Sequence, residues 1–291
     1  MKKFFALLST HRFVSLRKGM QGALFLFFTA LITFSLLSAV AAQDLDVPYV
    51  PTPQPVVEHM LEVAGVGPGE YVIDLGSGDG RIVVAAAKMG AVAHGVDLDP
   101  DKVRQGTENA RKAEVSDRAL FIEEDIFETS ISQASVITMY LLSSVNVKLR
   151  PRLLDELRPG SRVVSHSFDM DEWEADVTYD VKDESGQSHT VHLWIIPAKA
   201  GGTWSWEVDG VSFEGKIDQR FQEVDINVSA GGDYLRTVTT KLDGRRISFS
   251  VATDAASYLY SGRIEGDSIK GYVQVRAGEG GKIYTWSASR N

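Results

Sequence analysis

The stretch that decides the fold is residues 72–81, VIDLGSGDGR. An apolar run that is typical of a buried strand leads into three glycines at alternate positions, and a helical pattern follows. Glycine permits a sharp turn and lets a backbone approach a ligand closely. The start of the helix adds free N–H groups and a positive dipole end. The stretch therefore predicts a strand, a ligand-binding turn and a helix, in that order.

Strand and helix patterns alternate on both sides of this stretch. Helices are predicted at 56–64, 80–89, 100–113 and 145–157, and strands at 71–75, 91–96, 119–122, 135–142 and 162–168. Two further strands, at 177–181 and 190–196, flank a Gly-containing turn and predict a hairpin. Such alternation predicts an α/β fold, a Rossmann-like, mostly parallel sheet with helices on both faces.

The composition changes near Lys199. Residues 200–291 hold 13 of the 26 glycines and no proline, and short alternating strands lie between recurring turn signals. This pattern predicts a small antiparallel barrel or sandwich of about eight strands. We therefore expect three parts: an N-terminal segment at 1–42, an α/β domain at 43–199 and an all-β domain at 200–291.

The N-terminal segment has the features of an export signal. Five basic residues precede the apolar run 23–42, which ends in small residues. A secretory signal peptide has this order, and the run also has the length of an uncleaved membrane anchor. Either alternative predicts that the rest of the chain is exported or membrane-anchored, with membrane contact through this segment if it is not cleaved.

Charge and cysteine content exclude several classes of function. The formal net charge is −9, and the first 42 residues carry five positive charges and no negative one, which leaves −14 on residues 43–291. A body this acidic predicts no nucleic-acid partner, because such partners need a basic footprint. The chain has no cysteine, which excludes disulfides and cysteine metal ligands, and no metal site is predicted.

The residues around the glycine turn indicate the kind of ligand. The spacing is G-x-G-x-G, whereas dinucleotide sites use G-x-G-x-x-G, and this difference disfavours a nicotinamide-dependent activity. Asp74 precedes the turn, where a carboxylate would repel a pyrophosphate but suit an ammonium or sulfonium group. Asp97 ends the second strand, where an acid can accept ribose hydroxyls. Asp125 follows the third strand and suits either an adenine amino group or a helix cap.

These motifs resemble those of the class I S-adenosylmethionine-dependent methyltransferases. The matching stretches are VIDLGSGDG at 72–80, GVDLDP at 95–100 and EDI at 124–126. The resemblance implies an enzyme with S-adenosylmethionine as its cofactor and with methyl transfer from the sulfonium as its reaction. The resemblance implies six cofactor-binding residues: Asp74, Gly76, Gly78, Asp97, Leu98 and Asp125. We add Ser77 from the same turn and Thr52 from the proline segment.

A narrower similarity covers residues 48–176. The proline segment PYVPTPQPVVEHML at 48–61 and the run LRPGSRVVSHSFDMDEWEAD at 157–176 are similar to a group of lysine methyltransferases that includes the enzyme of the ATP synthase c subunit. This similarity implies a protein lysine as methyl acceptor, while a small-molecule acceptor stays open. No Asn-Pro-Pro-Tyr signature follows the fourth strand, which argues against amide- and base-methylating relatives.

Three residues are candidates for contact with the reacting groups. Tyr140 ends the fourth strand, Tyr49 lies in the proline segment, and His166 ends the fifth strand as a candidate proton acceptor. The alternatives are a rigid linker around Tyr49 and a structural role for His166. The competing function is that of an exported, non-catalytic binding protein that uses the methyltransferase fold as a scaffold.

Overall fold

A computed structural model describes residues 50–278 and 280–291. The predicted signal peptide or anchor at 1–42, and Tyr49 with it, lie outside the described residues. Within the described ranges, no helix combines the length and the apolar content needed to cross a bilayer.

Seven strands form a mixed sheet whose order is β3-β2-β1-β4-β5-β7-β6. The strands are β1 Tyr71–Leu75, β2 Val92–Asp97, β3 Ala119–Glu123, β4 Val136–Met139, β5 Arg162–His166, β6 Val177–Lys182 and β7 Ser188–Ile195. The first five strands run parallel, whereas β7 pairs antiparallel with both β5 and β6. The predicted hairpin is present, but its second strand lies between the first strand and the parallel sheet.

Four helices cover the sheet: α1 Gln54–Val63, α2 Arg81–Lys88, α3 Pro100–Lys112 and α4 Ser143–Glu156. Helix α1 begins directly after Pro53 and has Pro55 in its first turn, where the fixed φ of proline favours helix initiation. The Asp99 side chain caps α3 by accepting the N–H of Asp101. All of β4 and all of β1 except Tyr71 are buried, which reflects helices on both faces of the sheet.

The aromatic ring of Phe121 on β3 fixes the glycine turn against its neighbours. A Cβ atom on Gly80 would lie 2.4 Å from this ring, and one on Gly95 or Gly106 would lie 2.7 or 2.6 Å from it. Gly80 also has a φ of +78°, which residues with a Cβ rarely adopt. The ring therefore joins the turn, β2 and α3 only because three glycines make room for it.

Eight further strands form a closed antiparallel barrel in the order β10-β11-β12-β13-β14-β15-β8-β9. They are β8 Gly202–Val208, β9 Val211–Arg220, β10 Glu223–Ala230, β11 Asp233–Asp243, β12 Arg246–Ala252, β13 Ser257–Glu265, β14 Ser268–Ala277 and β15 Gly280–Arg290. The predicted fold class, a Rossmann-like sheet followed by a small antiparallel β-structure, is confirmed, and of the two alternatives it is the barrel that forms. The domain boundaries stay a prediction.

Aromatic side chains fill the barrel. Trp206 stacks on Phe213 at 5.6 Å and donates its indole N–H to the Tyr260 hydroxyl oxygen at 3.1 Å. Trp286 packs edge-on against Tyr260 at 4.9 Å. The space left beside Trp206 and Trp286 is about 10 Å³, too small for an organic ligand. The interior is therefore a packed core rather than a ligand cavity.

The turns at one end of the barrel contact the α/β part. The Ala198 N–H donates to the Gly244 carbonyl at 2.8 Å, and Arg245 donates to the Pro159 carbonyl at 3.1 Å. Trp173 donates its indole N–H to the Gln222 side chain at 2.8 Å. Pro159 precedes β5, so this part of the junction lies at the amino end of the parallel strands, away from the glycine turn.

We expect Gly80→Ala to lower the free energy of unfolding by about 2–4 kcal/mol, because it combines positive φ with a clash against Phe121. Gly65→Ala is the matched control, since Gly65 has a φ of +62° but no atom within 4 Å of the point that a Cβ would occupy; it should cost about 1 kcal/mol. Urea unfolding of both variants measures the difference. Equal losses would contradict the role assigned to the Phe121 ring.

Candidate active site

The order of the strands creates a crevice at the carboxyl ends of β1 and β4. These two strands are neighbours, and the chain leads away from them in opposite directions across the sheet. In open α/β sheets ligands bind at such a switch point. The segments that follow the two strands touch, because a Cβ atom on Gly76 would lie 2.9 Å from the Leu141 side chain. The glycine turn and the end of β4 therefore form adjoining walls.

The glycine turn has left-handed backbone at each of its three glycines. Gly76, Gly78 and Gly80 have φ values of +79°, +52° and +78°. The N–H groups of Gly76 and Ser77 both donate to the Val96 carbonyl at 2.9 Å. Ser77 is buried, and a Cβ atom on Gly95 would lie 2.8 Å from its Oγ; this Oγ has no hydrogen-bond partner among the described residues.

Asp74 is a buried acid at the floor of the crevice. The residue is only 2% exposed, and Thr138 on β4 donates its hydroxyl to Oδ1 at 2.7 Å. Burial raises the pKa of Asp74 to about 7, and the Thr138 hydrogen bond opposes this rise in part. The nearby charges of Asp97 and Asp79 contribute to this raised pKa. A cation bound in the crevice would stabilise the carboxylate.

Asp97 connects the turn to the second strand. Its Oδ2 accepts the Gly78 N–H at 2.8 Å, and its Oδ1 accepts the Asp99 N–H at 3.0 Å. Each carboxylate oxygen has further lone-pair capacity, so the group can also accept ligand hydroxyls. Leu98, next in the chain, is 47% exposed and offers an apolar surface beside this carboxylate.

Asp125 begins a short helical turn after β3. Its Oδ1 accepts the Phe127 N–H at 2.8 Å, and its main-chain carbonyl accepts the N–H groups of Glu128 and Thr129. The geometry thus shows the capping alternative. Contact with an adenine amino group stays a prediction for the carboxylate's remaining capacity.

The entry segment before α1 is held over the glycine turn. Arg81, which is paired with Asp79, donates to the Thr52 carbonyl at 2.8 Å. Thr52 is 4% exposed, and its hydroxyl lies 3.1 Å from His166 Nδ1. The hydroxyl of Thr52 is therefore engaged inside the protein, and a contact of this residue with the cofactor stays a prediction. Thr52 is therefore part of a fixed wall, whereas the linker alternative around Tyr49 lies outside the described residues.

His166 belongs to a hydrogen-bonded chain of side chains. Its Nε2 lies 3.0 Å from His189 Nδ1, and His189 Nε2 lies 3.2 Å from Asp183 Oδ2. Hydrogen bonds from the Ser185 hydroxyl and from His189 lower the pKa of Asp183 to about 2, so this group is an acceptor only. The network therefore assigns protons in one direction: Thr52 to His166, His166 to His189, and His189 to Asp183.

Burial keeps His166 uncharged within this chain. The residue has no exposed surface, and burial, followed by the neighbouring His189, lowers its pKa to about 4. Both of its ring nitrogens are engaged within the protein, which argues against the expected role as proton acceptor from a substrate. Its geometry is that of a positioning residue.

Tyr140 stacks on this histidine. The ring centroids of Tyr140 and His166 are 3.9 Å apart, and Phe168 lies 6.0 Å from Tyr140 on a roughly parallel plane. No described residue hydrogen-bonds the Tyr140 hydroxyl. On the adjoining helix, Asn146 is fully buried; its amide donates to the Phe168 and Asp169 carbonyls at 3.1 Å, and its Oδ1 has no described partner.

Several of these contacts lie beyond what the sequence predicts. Thr138, Asn146, His189 and Asp183 are not among the predicted site residues. The spacing of His189 and His192 argues against a metal pair, and the two indeed face different partners, since His192 lies 3.0 Å from the Thr178 hydroxyl. The position of β7 beside β5 is what brings His189 to His166. Polar residues at alternate positions of a strand are the only signal of such a contact in the sequence.

Comparison with known proteins decides the family. Residues 74–177 match the model of the ANTKMT methyltransferase domain. A protein of Saccharolobus islandicus named protein-lysine N-methyltransferase is 45% identical over 152 residues, which are 52% of this chain and 94% of that protein.

The chain belongs to the S-adenosylmethionine-dependent methyltransferases.

Two other similarities complete the comparison. The human lysine N-methyltransferase named for the c subunit of ATP synthase is 32% identical over 136 residues, 47% of this chain and 58% of that protein. A crystal structure described as an RNA methyltransferase from Salinibacter ruber in complex with S-adenosyl-L-homocysteine is 50% identical, with a TM-score of 0.48 over 52% of this chain and 95% of that chain. The chain thus spans nearly all of the archaeal relative but little more than half of the human one.

The cofactor of this methyltransferase is S-adenosylmethionine, and the crevice fits it chemically. The buried carboxylate of Asp74 suits a ligand with ammonium and sulfonium charges. Asp97 keeps acceptor capacity for hydroxyls, and the buried Ser77 Oγ beside the turn has no hydrogen-bond partner among the described residues. The family comparisons do not favour the alternative of a non-catalytic scaffold.

The ionisation of Asp74 predicts opposite effects on stability and on binding. The folded-state pKa of about 7 lies above the ordinary 3.8, so the charged form destabilises the fold, and this cost grows as pH rises from about 4 to about 7. We expect Asp74→Asn, which keeps the Thr138 hydrogen bond, to gain stability relative to wild type over that range, by at most about 4 kcal/mol.

Cofactor affinity should change in the other direction. Wild-type binding of S-adenosylmethionine is expected to strengthen as pH rises through about 7, because the ionised carboxylate attracts the cationic ligand, and Asp74→Asn should lose this dependence. Calorimetry at several pH values and urea unfolding at the same pH values measure both effects. A pH-independent stability difference between the two proteins would contradict the burial argument.

Proposed function

We propose that this methyltransferase transfers a methyl group to the Nζ atom of protein lysine. The similarity to the archaeal protein-lysine N-methyltransferase over 94% of that protein's length carries the proposal. Two features of the crevice support it: an aromatic wall at the end of β4, and a histidine beneath it that stays neutral. Neither feature repels an incoming lysine.

The cofactor is expected to lie along the carboxyl ends of β1, β2 and β3. Asp74 would face its charged methionine end, the turn around Gly76, Ser77 and Gly78 would carry the chain of atoms next to it, and Asp97 would accept the ribose hydroxyls. Leu98 and Asp125 would face the base, the first by apolar contact and the second through its free acceptor capacity. Thr52, which is held by Arg81 and His166, would close the site on the side of α1.

Tyr140 is the residue that we place against the methyl acceptor. It follows β4, one strand away from Asp74, and its ring packs against His166 with the centroids 3.9 Å apart and the planes tilted by 31°. The face of a tyrosine ring packs on the aliphatic part of a lysine side chain and excludes water from it. Because burial disfavours the charged ammonium, such a wall promotes loss of the lysine proton to solvent before transfer.

Transfer then needs alignment rather than an acid–base pair. When bound, the cofactor supplies an activated methyl group on a sulfonium. The new N–C bond forms as the C–S bond breaks, the electron pair goes to sulfur, and the positive charge moves to the lysine nitrogen. The chain of Thr52, His166, His189 and Asp183 contributes by holding the aromatic wall and the entry segment in place.

The acceptor chemistry is tested with lysine-containing peptides and S-adenosylmethionine, read by mass spectrometry as a methyl group on Nζ. We expect transfer by wild type, and about tenfold weaker cofactor binding for Asp97→Ala, a loss of about 1.4 kcal/mol through the missing charge-assisted hydrogen bonds. Asp117→Ala, which removes an exposed carboxylate in a long ion pair with Arg118, is the control and should bind normally.

One result would refute the acceptor and another the role of Asp97. Absence of Nζ methylation on the lysine peptides, together with methylation of matched arginine peptides or of RNA oligonucleotides, would exclude lysine as the acceptor class. Unchanged cofactor affinity in Asp97→Ala would instead remove Asp97 from the cofactor site while leaving the acceptor open.

Substitutions of Tyr140 separate the ring from the hydroxyl. Tyr140→Ala should lower kcat/KM for the peptide by about tenfold or more, because it removes the wall that aligns the amine, and Tyr140→Phe should retain most of the activity. The dissociation constant of S-adenosylmethionine should stay unchanged in both. If Tyr140→Phe loses as much activity as Tyr140→Ala, then the hydroxyl takes part in the reaction and the aromatic-wall argument fails.

A further inference from the structure

Charge is segregated on the outer surface of the barrel. Residues that pair across antiparallel strands point to the same side of the sheet, so the pairing register identifies every outward side chain. On β8–β10 the charged outward residues are mainly acids, namely Glu207, Glu214, Asp218, Glu223 and Asp225, with the cations Lys216 and Arg220. On β11–β14 they are mainly cations, and the opposite sides of the barrel therefore differ in sign.

We call the outward face of β11–β14 the basic wall. Its cations are Arg236, Lys241, Arg246, Arg263, Lys270 and Arg276, and its acids are Asp243 and Glu265. All six cations are exposed. None of them forms an ion pair with a described residue. The wall is positive although residues 43–291 as a whole are strongly acidic.

Three of these cations stand in direct cross-strand register. Arg246 pairs with Arg263, and Arg263 pairs with Lys270 on the next strand. Like charges directly opposite each other destabilise a sheet. Arg246 also lies in register with Asp243 on β11, so the uncompensated repulsion is that between Arg263 and Lys270, and a bound anion would relieve it.

Apolar side chains stand beside the row. Gln274 on β14 pairs with Leu259 on β13 and with Ile283 on β15. The side chains of Leu259 and Ile283 are 51% and 70% exposed. Tyr272, two residues before Gln274 on β14, is 64% exposed. The result is an aliphatic and aromatic cluster with Arg263 and Lys270 on one side and Arg276 on the other.

We propose that the basic wall docks on the surface of an anionic lipid bilayer. The cations would meet headgroup phosphates and carboxylates, while Leu259, Tyr272 and Ile283 would enter the boundary between headgroups and acyl chains. Interfacial binding of this kind combines electrostatic attraction with buried apolar area. Both the cations and the apolar side chains are present on this face of the barrel. On β14, for example, Tyr272 lies two residues after Lys270.

A nucleic acid fits this surface less well. Single strands bind to successive aromatic platforms on which bases stack, and the cluster offers one aromatic ring and two aliphatic side chains. The outer wall of a barrel is also convex, whereas nucleic-acid grooves track the backbone in a concave channel. The exposed aliphatic residues are explained by a lipid surface and not by a polynucleotide.

Vesicle flotation of the full chain tests the proposal. The probes are vesicles of phosphatidylcholine alone and vesicles with about 30% phosphatidylserine, together with a labelled single-stranded oligonucleotide. We expect preferential binding to the anionic vesicles, reduced by added salt. The double variant Arg263→Glu/Lys270→Glu should lose about tenfold or more of this preference, and Leu259→Ser/Ile283→Ser should weaken binding to the anionic vesicles at unchanged charge.

The control is Lys112→Glu/Lys216→Glu, which makes the same change in net charge at two exposed positions away from the wall. All the proteins carry the same N-terminal segment, so differences among them report the barrel, and thermal unfolding verifies that each variant folds. Equal effects of the control and the wall variant, no effect of the wall variant, or binding to the oligonucleotide without preference for anionic vesicles would each overturn the proposal.

Discussion

The packing of one aromatic ring against three glycines organises the active site. Phe121 occupies the space that Cβ atoms on Gly80, Gly95 and Gly106 would need. It thereby draws the turn after β1, the middle of β2 and the middle of α3 to a single point. Once these segments meet, Asp97 at the end of β2 is within reach of the Gly78 N–H, and the turn can remain left-handed without strain. The positions of the two carboxylates in the crevice therefore depend on the absence of Cβ atoms at these glycines rather than on a strong attractive contact.

The crevice also shows how function competes with stability. Asp74 is buried close to two other acids, and its pKa of about 7 means that the fold resists its ionisation near neutral pH. A cationic ligand reverses this preference, because it stabilises the charged form that burial disfavours. His166 is the opposite case: burial keeps it neutral, and its partners are arranged so that no charge is needed. The site thus holds one group that a bound sulfonium ligand would charge and one that burial keeps uncharged, a combination that suits the proposed amine acceptor.

The local sequence pattern is sufficient to predict those parts of the molecule that are formed by residues close together in sequence. Strand β1 begins and ends at the predicted residues, and the glycine turn and its acids follow from spacing alone. Long-range pairing is not accessible in the same way. His189 reaches His166 only because β7 inserts between β5 and β6, and a hairpin pattern does not state which of its strands joins the sheet. Thr138 escapes prediction for a related reason: its importance comes from lying opposite Asp74 on a strand 64 residues away in sequence.

Net charge alone conceals how the surface of this protein is organised. A total of −14 for residues 43–291 suggests a molecule that anionic surfaces repel, and at distances beyond a Debye length this holds. At contact, the local arrangement of charge dominates, and antiparallel register aligns Arg246, Arg263 and Lys270 although they are separated in sequence. The acids gather instead on β8–β10 and around the crevice, the latter at the carboxyl ends of the parallel strands. Contacts at the other end of those strands fix the barrel to the sheet, so the barrel is held at the end of the sheet opposite the acidic crevice, which suits the cationic cofactor and the proposed lysine acceptor.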